Sequence, residues 1–190
     1  MPNHYTAFEG TRRVAAGTLP LVAERCKALL DGEPNASPII YDDHTGRPVD
    51  VDYRGTTHDV LARLPATAAD GEAPARRGPG RPKLGVVARE VTLLPRHWEW
   101  LATQPGGASV ALRRLVENAS RDSVDADRTR QADEAVDRVM LALAGDLAGY
   151  EEASRAYHRR EVARFSGLID GWPADVRDYV KRLAGVTLAA

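Results

Sequence analysis

A single cysteine, Cys26, stands in the 190 residues. No intrachain disulfide and no cysteine-based metal knuckle can form, and a reducing compartment is the natural setting. Long apolar runs are missing too. No stretch approaches the ~18 consecutive apolar residues of a membrane helix, and the opening "MPNHYTAFEGTRR" lacks a charged segment followed by an apolar one. These absences predict a cytoplasmic chain, neither exported nor embedded. Catalytic signatures are absent as well. There is no HExxH, GxSxG, Walker loop or GxGxxG, and His4, His44, His58, His97 and His158 are scattered. No enzyme activity and no cofactor are expected. Net charge is −1, which by itself points to no polyanionic partner, and no internal repeat is visible.

What is present is the composition of a folded protein, 43% hydrophobic and 28% charged, enough to bury one or two modest cores. The charge is unevenly spread. Residues 1–71 carry 7 Lys/Arg and 10 Asp/Glu, residues 72–121 carry 9 and 4, and residues 122–190 carry 10 and 13, giving −3, +5 and −3. Acidic flanks discourage nonspecific adhesion to nucleic acid, while the basic centre offers phosphates one surface. Chance placement explains an excess of this size about as well.

Residues 1–65 read as a small α/β unit. "YTAFEG" and "RRVAAG" are extended runs with a Gly10-Thr11 turn between them. "TLPLVAERCKALLDG" places Leu21, Val22, Arg25 and Leu29 at helical spacing, with Thr18 as cap and Gly32 as stop. "PIIYDD" and "RPVDVDYRG" flank "HTG" as a hairpin in which Val49, Val51 and Tyr53 share one face and Asp50 and Asp52 the other. "THDVLARL" adds a helical turn, and the order ββαββα resembles a β-grasp arrangement. Residues 66–83 carry almost no large apolar side chains and read as a flexible basic linker. Residues 122–190 read as a helical region with three stripes: Val136, Val139, Met140 and Leu143; Val162, Phe165, Leu168 and Ile169; Val176, Tyr179, Val180 and Leu183, with Pro173 in a first turn. The expected fold class is α+β.

One cluster carries polar chemistry but no ligand pattern. Asp42, Asp43, His44, Asp50 and Asp52 gather on the hairpin, where oxygen ligands for a divalent cation are conceivable. Turn chemistry and a solvated outer face account for them better, so no metal site is assigned. Cys26, inside an apolar helix, reads as a buried inert thiol.

The arm "RRGPGRPK" at 76–83 resembles an AT-hook, whose Gly-Arg-Pro core lies in the minor groove of A·T-rich DNA. The resemblance implies that Arg81 enters the groove and that Arg76, Arg77 and Lys83 meet phosphates. Pro79 stands where the family's first Arg is expected. Downstream, "REVTLLPRHWEWLATQPGGASVALRRLVENA" resembles a ribbon-helix-helix module over residues 84–121. Pro95 would open its first helix, "QPGG" at 104–107 would make the turn, and Ser109 would cap the second helix. That resemblance implies a homodimer with Leu94, Trp98, Leu101, Leu112, Leu115 and Val116 in its core, and a phosphate on the amides of Ala108, Ser109 and Val110. It also implies a strand over 86–94 whose side chains reach bases. Counted back from Pro95, the groove-facing positions are Leu93, Val91 and Arg89, of which Arg89 alone suits base readout. Either the strand is bulged, turning Thr92 and Glu90 outward, or it does not read DNA.

Over nearly its whole length, in "GRPKLGVVAREVTLLPRHWEWLATQPGGASVALRRLVENA", "IIYDDHTGRPVDVDYRG" and "AGDLAGYEEASRAYHRREVARFSGLIDGWPADVRDYVKRLA", the chain resembles an uncharacterised bacterial domain-of-unknown-function family. That resemblance brings no activity with it. Two functions therefore stand open. One is a DNA-binding, regulator-like homodimer whose end segments meet an unknown effector or protein partner. The other is a protein-interaction or adaptor module that binds no nucleic acid.

Overall fold

The computed structural model describes residues 3–65, 87 and 89–188. The linker 66–83, with Arg76, Arg77, Arg81 and Lys83, lies outside them. The fold is mixed α+β, and the chain forms two compact units, Met1–Ala69 with Asp127–Ala190, and Asp70–Ala126. The first unit thus draws on both ends of the sequence.

In that unit β1 (Tyr5–Glu9) and β2 (Arg12–Gly17) form a hairpin turning at Gly10, where φ is +57°. α1 (Leu19–Gly32) follows with Pro20 in its first turn. Thr18 occupies the cap position but makes no side-chain capping bond. β3 (Ile39–Asp42), β4 (Pro48–Val49) and α2 (Thr57–Arg63) complete the ββαββα order. The sheet runs β2-β1-β3-β4 with every pair antiparallel. A β-grasp would place parallel strands at its centre, so the resemblance stops at element order.

α5 (Val124–Ala144), α6 (Tyr150–His158), α7 (Val162–Ile169) and α8 (Ala174–Leu188) supply the other layer. Alternation along the strands gives the sheet two apolar faces. Tyr5, Ala7 and Ile40 pack with Leu19, Val22 and Cys26, whereas Phe8 and Tyr41 join a larger core with Val139, Met140, Tyr157, Phe165, Ile169 and Tyr179. A strand covered on both sides loses its apolar-polar alternation, which is why "YTAF" is buried throughout.

β4 is shorter than the sequence suggests. Val49, Val51 and Tyr53 still share an inward face. The ladder ends at Val49, and beyond it Asp52 takes the Arg54 amide at 3.1 Å, a local bond that competes with strand pairing. Val162 leaves its predicted stripe and is 49% exposed. The buried Ala153, Ala156 and Tyr157 of α6 form a stripe that the sequence reading passed over.

The second unit contains α3 (Pro95–Ala102) and α4 (Gly107–Asp122), which pack on each other. Pro95 opens α3 as its spacing predicts, since a first-turn residue needs no intrahelical donor. Gly106, at φ +83°, caps α4. Residues 89–94 form no strand in this chain. No helix among the described residues is long and apolar enough to cross a membrane.

Candidate functional site

The α3–α4 hairpin is organised by its turn. Gly107 N–H donates to Gln104 O at 3.0 Å, and Gly106 adopts a left-handed conformation that a side chain would disfavour. Because the chain enters the helix at Gly106, Ser109 is the third helical residue and not the cap. Ala108 and Ser109 fall in the first turn, where amides lack intrahelical acceptors, while Val110 falls where Gly106 O comes within helical reach. Arg113 reaches back to Ser109 O at 3.1 Å.

Leu101 and Ala111 are buried, and Leu93 and Leu112 are half-buried. Leu94, Trp98, Leu115 and Val116 are exposed, Trp98 to 42% and Val116 to 65%. Arg89 and Thr92 are exposed as well, ahead of α3. The hairpin therefore presents much of its apolar side-chain surface to solvent, and it lies within the stretch of sequence, 72–121, whose net charge is positive.

The acidic hairpin of the first unit is occupied by internal donors. Asp42 accepts the amides of His44 and Thr45 at 2.8 and 3.1 Å. Asp43, its side chain 8% exposed, accepts from His4 Nδ1 at 2.6 Å, the Tyr179 hydroxyl at 2.8 Å and Arg182 Nη1 at 2.9 Å. Arg182 also donates to Thr6 Oγ1 at 3.0 Å and stacks over the Tyr179 ring. Burial, with the adjacent Asp43 charge, pushes the Tyr179 hydroxyl far up. Asp52 is paired with Arg54, whose hydrogen bonds hold its carboxyl well below the usual range. Asp43 thereby ties the end of β3 to α8, while Asp52 joins the loop after β4 to Arg63 of α2. Among the described residues no group of three or more His, Cys, Asp or Glu stands ready for a metal. Cys26 is fully buried, and burial raises its thiol pKa. The Tyr53 hydroxyl beside it is buried without a well-formed hydrogen bond.

A second polar knot joins α5 to the α6–α7 link. Asp133 accepts two bonds from Arg160, at 2.8 and 2.6 Å, and one from the Tyr157 hydroxyl at 2.8 Å. His158 meets Asp137 at 3.0 Å. Neither Asp43 nor Asp133 announces these partners in sequence, because the groups they hold are 24 to 139 residues away.

The chain belongs to the family described as "Uncharacterized protein conserved in bacteria (DUF2239)", whose model matches residues 4–184. Neither a curated protein nor a solved structure matches it.

Proposed function

We propose that the chain is a cytoplasmic, DNA-binding, regulator-like protein acting as a homodimer through residues 86–122, with the first unit as the seat of an effector or partner. The carrying observation is the α3–α4 hairpin, which leaves Leu94, Trp98, Leu115 and Val116 exposed within the stretch 72–121, whose net charge is +5. Two such hairpins would cover each other's apolar faces and place the paired basic arms on one duplex.

Duplex titration at several salt concentrations tests this. Binding should weaken steeply with salt, and each lost phosphate contact should lower the log–log slope by ~0.9. Arg81→Ala should cost more on A·T-rich than on G·C-rich duplex, whereas Arg76→Ala should weaken both about equally. A folded dimer that binds no duplex even at low salt would remove this reading. The adaptor module would then stand, favoured by one observation: Val91 and Leu93, at the expected groove-facing positions, are apolar and suit a protein surface better than base edges.

A further inference from the structure

Trp100 differs from Trp98 in where it points. Leu94, the cap residue of α3, and Trp98 one turn on are exposed and belong to the face assigned above to the second copy, whereas Leu101 is buried within the chain itself. Trp100 lies about 100° around the helix from Leu101, and one turn after Arg96. It is 50% exposed. His97 flanks the same side, and Arg96 and His97 are exposed. Glu99 projects away from it, on the far side of Arg96.

An exposed indole costs a protein solubility, and Trp98 already accounts for an apolar interface. An indole with a guanidinium one turn away is instead suited to a flat π-surface that carries negative charge nearby, which is a nucleobase with its phosphate. Charge complementarity selects that occupant: residues 72–121 carry +5 between segments of −3 each. A base paired inside a duplex does not offer its face, so the occupant must be unpaired.

We propose that Trp100, with Arg96 and His97, is a stacking platform for an unpaired nucleobase, and that the chain therefore also holds single-stranded DNA. The inference rests on the nucleic-acid reading above and adds a ligand class to it.

The test uses the full chain, a labelled deoxythymidine oligomer of roughly 12 nucleotides and a duplex of equal length at low salt. Trp100→Ala should weaken single-strand binding about tenfold while changing duplex affinity less than about twofold. Trp100→Phe keeps a π-face, so it should restore most of the affinity yet abolish the part of the tryptophan quenching that comes from the bound base. Circular dichroism should show that both variants are folded, since a half-exposed side chain leaves no cavity. Duplex binding without single-strand binding, an unaffected Trp100→Ala variant, or equal losses on both ligands would overturn the platform and leave the duplex reading intact. Binding to neither ligand would overturn both.

Discussion

Arg160 holds a backbone conformation that side chains avoid, with φ at +59°. It ends α6 as a left-handed cap: Arg160 N–H bonds Tyr157 O at 2.9 Å and Glu161 N–H bonds Ala156 O at 3.0 Å, the pairing that usually recruits glycine. The strain, ~1 kcal/mol, is offset by the two charge-assisted bonds to Asp133. Arg160→Gly should therefore destabilise by about 1–2 kcal/mol in urea melts, and should be neutral or stabilising once Asp133→Asn is present. Burial penalises the Asp133 charge, but the bonds from Arg160 and Tyr157 outweigh it and lower the carboxyl below its usual value. A lowered folded-state pKa gives stability that is complete above the ordinary carboxylate range and fades as pH falls through the folded value. Asp133→Asn should thus flatten the decline in stability below about pH 4. Gly46 is a position that only glycine fits. Its φ is +65°, and an added Cβ would lie 2.4 Å from Ala135 O, where the turn rests on α5 and Arg138 bonds Thr45 O at 2.6 Å. Gly46→Ala should cost about 3 kcal/mol by thermal unfolding. Gly10→Ala, with open space around it, should cost ~1 kcal/mol.

Elements were legible where local chemistry set them. "THDVLARL" reads as the helical turn of α2, and its cap, which that reading does not name, is equally local: the Thr56 amide donates to Asp59 Oδ2 at 2.8 Å and the Asp59 amide to Thr56 Oγ1 at 3.3 Å. Thr56→Ala should lower stability by ~1 kcal/mol in the same melts, and an unchanged midpoint would show that the cap adds nothing. Gly10, Pro95 and the three apolar stripes likewise marked β1, β2, α3, α5, α7 and α8. What the sequence hid depended on distance along the chain. The antiparallel centre of the sheet depends on β3 returning beside β1, and the buried face of α6 joins a single large side chain, Tyr157, to two small alanines, Ala153 and Ala156, too few large apolar residues to mark a stripe. The site followed the same division. Pro95 and the "QPGG" turn were readable, whereas Ser109 was misplaced as a cap because Gly106 could start the helix three residues earlier. The Asp43 and Asp133 knots were invisible, since nothing local to a carboxylate names an arginine more than twenty residues away.

At the scale of the molecule, the two units differ in what holds them. The first buries Phe8, Tyr157, Phe165, Trp172 and Tyr179 in one core, a set large enough to be stable within one chain. Among the described residues of the second unit, Leu101 and Ala111 are buried, and two helices that bury so little are expected to open more readily than the first unit. If a second copy closes the exposed face, that opening becomes linked to association and must depend on protein concentration. Hydrogen exchange should then show amides of α4 gaining protection between about 1 and 100 µM protein, the range of ordinary dimer affinities. Amides of α5 and α8 near Val139 and Tyr179 should stay equally protected throughout. Val116→Asp places a charge on the face without disturbing the chain's own packing, because Val116 is largely exposed. It should erase the concentration dependence of α4 and leave α5 and α8 unchanged, with sedimentation showing a monomer. Protection of α4 that is the same at every concentration in the unaltered protein would rule out the dimer and, with it, the paired arms that duplex binding requires.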